Sequence, residues 1–190
     1  MLKYLWGTVK DDTKISDEIT VGIAESVTAG AVANCLCSEP GASKFINGAT
    51  VAYSIQSKKD LLGVNIEYAE KNNFANPFTT EEMARAAARI YKARIGISTT
   101  GYSLPLYRAA DEAKGYCELN ITEPYGYICL YDSFTNTATI QKLIFENDTT
   151  IPPRLLKAQV QTKMALSCKK LFQTYVLHLE KNKNATIDKT

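Results

Sequence analysis

The chain has 190 residues, 45% hydrophobic and 22% charged, enough to bury one sizeable core and consistent with one domain over 1–180 and a polar tail over 181–190. Its 22 basic and 20 acidic residues leave a net charge of +2 and an isoelectric point near 8.2, too small an excess to argue for nucleic acid as a partner. No apolar run nears the roughly 20 residues of a membrane span, and the start MLKYLWGTVKDDTK lacks the features of a signal or transit peptide, so a cytoplasmic chain with no membrane partner is expected.

In chain order, EITVGIAES (18–26) reads as a short buried strand. VTAGAVANCLCS (27–38) reads as a helix of small residues able to pack close to a sheet. GASKFINGATVAYSI (41–55) is a loop leading into a strand, and SKKDLLGV (57–64) a helical turn ended by Gly63. TTEEMARAAARIYKARI (79–95) is the clearest helix. Thr79 and Glu82 have the capping-box spacing, and Met83, Ala87, Ile90 and Tyr91 share one face. IGISTTG (95–101) is the next strand. GYICLYDS (126–133) and ATIQKLIFEN (138–147) alternate as a hairpin should. The stretch 149–179 is the last helix, its prolines suited to a first turn. The tail EKNKNATIDKT is expected to fray.

Cys35, Cys37, Cys117, Cys129 and Cys168 form an odd set with no CxxC spacing, so reduced, mostly buried thiols are expected and no zinc site. The Asn-X-Ser/Thr triplets at Asn120, Asn147 and Asn184 read as chance in the absence of a secretory signal. There is no internal repeat and no flexible linker. The element order predicts a three-layer α/β/α sandwich with a mixed, mostly parallel sheet. In such sheets ligands bind beyond the carboxyl ends of the strands, where Glu25-Ser26 and Thr99-Thr100-Gly101 fall. Taken alone, Ser26 is either a nucleophile at a strand-to-helix junction or, like Thr28, a helix cap. Glu25 reads as structural, bonded to a cation or to backbone N–H groups.

AESVTAG (24–30) resembles the AESCTGG signature of the competence-damage-inducible protein C-terminal domain family, which includes nicotinamide mononucleotide deamidases. PGASKFINGATVAYSIQSKKDLLGV, FTTEEMARAAA and ISTTG are similar to further family motifs in the same order. The resemblance runs from about Val21 to Leu171. It implies a three-layer fold and hydrolysis of nicotinamide mononucleotide to nicotinic acid mononucleotide and ammonia, with neither metal nor organic cofactor. It carries the catalytic roles to Ser26 as nucleophile, Lys58 as base and Tyr53 beside them. Thr100 and Arg154 are carried over as substrate-binding residues. It also implies a homo-oligomer.

The residue types suit that chemistry. An amide needs a nucleophile, a proton carrier and an oxyanion stabiliser. His178, the single histidine, lies after the family motifs, so Ser-Lys fits better than a histidine triad. A free lysine titrates near ~10.4, and burial or a neighbouring cation such as Lys59 or Arg154 would make it a better base. The N–H groups of Thr28, Ala29 and Gly30 are expected to hold a phosphate or an oxyanion.

Two departures stand out. Ala29 occupies a family glycine position. The glycine-rich loop that follows TG in the family is replaced here by a longer 102–124 segment with Tyr102, Tyr107 and Arg108 as ligand-contact candidates. The alternative reading is therefore a non-catalytic relative that binds a nucleotide-like ligand or a protein partner.

Overall fold

Strand β1 (Val21–Glu25) alternates large and small residues, so Val21, Ile23 and Glu25 face one side and Gly22 and Ala24 the other. The computed structural model describes residues 19–71, 73–110 and 118–187. The start of the chain, Cys117 and the last three residues lie outside them. After β1 come α1 (Ala31–Cys37), β2 (Ile46–Val51), the short α2 (Ile55–Ser57) with a π-helical turn at Lys58–Leu62, α3 (Ile66–Lys71), α4 (Pro77–Ile90) and β3 (Ile95–Tyr102). Strands β4 (Leu106–Arg108) and β5 (Leu119–Ile121) pair with each other as a small separate ribbon. Strands β6 (Tyr125–Asp132) and β7 (Thr137–Ile144) form the expected hairpin, and α5 (Pro153–Ile187) ends the fold.

The main sheet has the order β2-β1-β3-β6-β7. It is the mixed α/β sheet that the element order predicts, but without a parallel majority. β1 pairs in parallel with β2 and β3, whereas β3–β6 and β6–β7 are antiparallel because a hairpin supplies the second half. On one face Val21, Ile23, Ile97, Ile128 and Leu130 pack with Val32 and Leu36 of α1 and with Leu156, Val160, Met164 and Phe172 of α5. On the other, Ala24 packs with Met83, Ala86 and Ala87 of α4. β1 and β2 therefore send their following helices to opposite faces, the arrangement that opens a crevice at their carboxyl ends.

Packing on the α4 face depends on a row of glycines. Gly22 is in register with Gly48 of β2 and Gly96 of β3. A Cβ on Gly22 would stand 2.5 Å from the Ala87 carbonyl oxygen, and one on Gly96 would run into the Ala84 carbonyl. Gly48 lies under the ring of Tyr91. The α4 backbone thus rests directly on the sheet.

Several elements differ from the sequence reading: α1 starts at Ala31 and not at Val27, α4 ends at Ile90 and not at Ile95, and α3, β4 and β5 have no counterpart in it. α4 begins at Pro77 and its cap is Asn76, whose Oδ1 accepts from the Thr79 N–H at 2.8 Å, so Thr79 is a buried first-turn residue and not the cap. Glu82 does not close a capping box and instead accepts from the Asn65 N–H at 3.2 Å. The tail expected to fray continues α5 as far as Ile187. The four described cysteines are free thiols, with Cys129 and Cys168 buried. Among the described residues no helix is long and apolar enough to cross a membrane.

Gly96→Ala is expected to lower stability by ~3 kcal/mol, because the new methyl meets helix backbone. Gly48→Ala should lower it by less, because the Tyr91 ring can swing aside. Urea unfolding of the two variants tests this ranking.

Candidate active site

Just after β1 the chain reverses through Ser26–Gly30 before α1 begins. Ala29 and Gly30 both take left-handed backbone, with φ of 51° and 101°. That turn is organised by Glu25, which is fully buried. Its carboxylate accepts from the N–H groups of Gly30 (2.9 Å), Val32 (3.1 Å) and Ala33 (2.8 Å) and from the Thr28 hydroxyl (2.7 Å). Glu25 is thus the cap of α1, through backbone N–H groups as its structural reading allowed. Neither Ser26 nor Thr28 caps the helix.

This changes the expected anion site. The Gly30 N–H is taken by Glu25 and the Ala29 N–H by the Ser26 carbonyl at 3.1 Å. Thr28 turns its hydroxyl to Glu25 and Thr99. The α1 terminus is therefore neutralised from within the protein. Among the described residues, the backbone donors next to Ser26 that carry no hydrogen bond are those of Val27 and Thr28.

A cleft of about 460 Å³ lies at the carboxyl ends of β1, β2 and β3. Ser26, Tyr53, Lys58 and Thr100 all line it, although they span 75 positions of sequence. Thr28, Ala29, Gly30 and Arg154 do not line it, and Arg154 is exposed on the first turn of α5. Ser26 is only 8% exposed. Its backbone N–H extends the β1–β3 pairing by bonding the Thr99 carbonyl at 3.1 Å, which holds the residue in place. Its hydroxyl has no hydrogen-bond partner among the described residues.

Lys58 arrives on a well-made turn. Ser54 and Ser57 cap each other reciprocally, each N–H donating to the other's hydroxyl at 3.0 Å. Lys58 follows directly, 5% exposed, with Nζ donating to the Tyr53 carbonyl at 3.3 Å. Burial disfavours its ammonium form and brings its pKa down to about 8. The burial expected to make it a base is present. Arg154 has no part in it.

Thr100 belongs to a directed chain of hydroxyls. Thr80 gives its proton to the Asn76 carbonyl at 2.7 Å, so in the 2.6 Å contact between Thr80 and Thr100 it is Thr100 that donates. The Thr100 oxygen is left in the cleft as an acceptor only. One residue earlier, on the opposite face of β3, Thr99 donates in the same way to Thr28 at 2.6 Å, since Thr28 donates to Glu25.

The far wall is made by residues 102–108 and the loop before α4. Tyr102, Leu104, Leu106 and Arg108 line it, with Phe74 from the loop. Tyr107 is exposed and is not part of the cleft. The Tyr102 hydroxyl donates to Asn73 Oδ1 at 2.7 Å, and Asn73 Nδ2 donates to the Tyr125 hydroxyl at 2.8 Å. Burial pushes the Tyr102 phenol up to about 12, so it stays a donor. Sequence reasoning missed Lys157, which lines the cleft from α5 with Nζ 3.1 Å from the Tyr53 hydroxyl. It lies less than one turn beyond Arg154, and nothing in the pattern separates the two.

A family model described as the CinA C-terminal domain matches residues 8–147. The chain belongs to this family. A CinA-like protein of Desulfosudis oleivorans is 31% identical over 133 residues, 68% of this chain and 32% of that relative. A Streptococcus pyogenes serotype M5 protein named for competence-damage induction is 41% identical over 86 residues, 45% of this chain and 20% of its own length. The chain therefore spans a fifth to a third of these curated relatives. Among solved CinA structures, the competence or damage-inducible protein of Enterobacter asburiae superposes with a TM-score of 0.66 at 21% identity, covering 84% of this chain and 88% of that one. The Agrobacterium tumefaciens protein CihA gives a TM-score of 0.57 at 20% identity over 79% and 86% of the two chains. These likenesses bear out the α/β fold. The CinA match ends before α5 begins.

Ala29→Gly should relieve left-handed strain and raise stability by ~1 kcal/mol, read as a rise of about 2–4 °C in Tm. Glu25→Gln should do the opposite. Its amide aims a donor at N–H groups, and a loss of ~2–3 kcal/mol in urea unfolding is expected.

Proposed function

We propose that this CinA domain is a serine amidohydrolase that converts nicotinamide mononucleotide to nicotinic acid mononucleotide and ammonia. The observation that carries the reading is the convergence of Ser26 and a buried, pKa-lowered Lys58 on one cleft. The Ser26 hydroxyl attacks the carboxamide carbon while neutral Lys58 takes its proton. The tetrahedral intermediate carries an oxyanion, for which the Val27 N–H, in the cleft lining and without a hydrogen bond, is the donor left beside Ser26. Collapse expels ammonia as Lys58 returns the proton to the leaving nitrogen. Water, deprotonated by Lys58, then cleaves the acyl-enzyme ester and releases the acid. Thr100, an acceptor in this cleft, suits a hydrogen bond from the Ser26 hydroxyl or the Lys58 ammonium. No metal or organic cofactor has a part in this scheme. A cytoplasmic location and association into homo-oligomers belong to the same proposal.

A second reading is a non-catalytic binder of a nucleotide-like ligand, favoured by residues 102–108, which rebuild one wall of the cleft. Turnover separates the two. Ammonia release from nicotinamide mononucleotide is expected with the wild-type protein and should fall about a thousandfold or more in Ser26→Ala and in Lys58→Ala. A folded wild type that binds the nucleotide and releases no ammonia would leave the binder reading.

The pH profile gives an independent check. Lys58 acts when neutral, so with a pKa of about 8 only roughly a tenth of molecules are active at pH 7. The rate should rise through a midpoint near pH 8 and level off above it. A rate already flat between pH 6 and 9 would remove Lys58 from the role of base.

A further inference from the structure

We infer that Lys157, held against Tyr53, binds the phosphate monoester of the ligand of this cleft. The inference rests on the cleft being the substrate site and does not require turnover.

Leu156, Val160 and Met164 anchor α5 in the core. Gln161, one turn beyond Lys157, donates from Nε2 to the Val27 carbonyl at 2.9 Å, next to Ser26. This face of α5 is therefore fixed against the β1–α1 junction. Lys157 is on that face and lines the cleft. Arg154 is exposed and does not.

Lys157 is also a cation with no counter-ion. Its Nζ bonds the Tyr53 hydroxyl at 3.1 Å and stands 5.6 Å from the centre of that ring. An ammonium has three N–H bonds, so two remain for a ligand. Among the described residues no carboxylate pairs with it, and none lines the cleft. A cation in such a site recruits an anion. Of the other cations in the lining, Arg108 stands on the far wall and Lys58 alternates between ammonium and amine during the proposed reaction, whereas Lys157 is outside the proton path. Tyr53 then has a definite role, since its phenol aims the ammonium and its ring supports it. α5 follows the span matched by the CinA family model.

The test is equilibrium binding, measured calorimetrically in a Ser26→Ala background so that turnover cannot interfere. The probes are nicotinamide mononucleotide and nicotinamide riboside, which differ by the phosphate alone. Lys157→Ala should weaken the mononucleotide about 10-fold or more and change the riboside less than about twofold, the pattern for loss of one charge-assisted contact. Lys157→Arg should retain most of the difference, and Arg154→Ala should leave it in place. Lys157→Met, which keeps the aliphatic stem, is read instead should the alanine variant lose its fold. Equal weakening of both probes, no weakening of either, or a wild-type affinity that ignores the phosphate would overturn the inference. A phosphate-dependent difference in a wild type that releases no ammonia would sink the amidase reading and leave this one standing.

Discussion

The site depends on one buried carboxylate. Glu25 lies in the core at the end of β1, where an unpaired charge would be prohibitive. It is tolerated because three backbone N–H groups and the Thr28 hydroxyl fill its lone pairs. These bonds bring α1 back over the end of β1 and force the chain through two left-handed residues. Ser26 sits inside that reversal. It is presented to the cleft, and its hydroxyl is spared any capping duty, because its neighbour caps the helix.

From Glu25 the constraint spreads across the sheet. The Thr28–Thr99 hydroxyl contact ties the turn to β3 on the α1 side. The Thr80–Thr100 contact ties β3 to α4 on the other side. Adjacent threonines point to opposite faces because strands alternate, so one dipeptide is bonded into both layers. Proton counting fixes the sense of each contact and makes Thr100 an acceptor in the cleft. The glycine row beneath α4 brings that helix close enough for Thr80 to reach Thr100.

The electrostatics of the cleft follow from the same framework. Lys58 is buried by the turn that Ser54 and Ser57 start, and burial is the cause of its lowered pKa. Lys157 keeps its Nζ on the Tyr53 hydroxyl, outside the proton path of the proposed reaction.

Much of this was legible in the residues. Short-range signals marked the strands of the main sheet, α4, the hairpin, Gly63 and the serine at the end of β1, since periodicity and turn chemistry act over a few positions. The family motifs brought Tyr53, Lys58 and Thr100 into consideration, and the cleft gathers all three. What the sequence could not decide is how groups compete for the same partners. Glu25, Ser26 and Thr28 were all chemically able to cap α1, and only their positions around the turn awarded the N–H groups to Glu25. Asn76 took the α4 cap from Thr79 because Pro77 already suits a first helical turn. Arg154 and Lys157 are three residues apart on a helix and look interchangeable in sequence, but the rotation of α5 set by its apolar stripe leaves one in solvent and places the other in the cleft lining. Local chemistry proposes several partners for each polar group, and long-range packing selects among them.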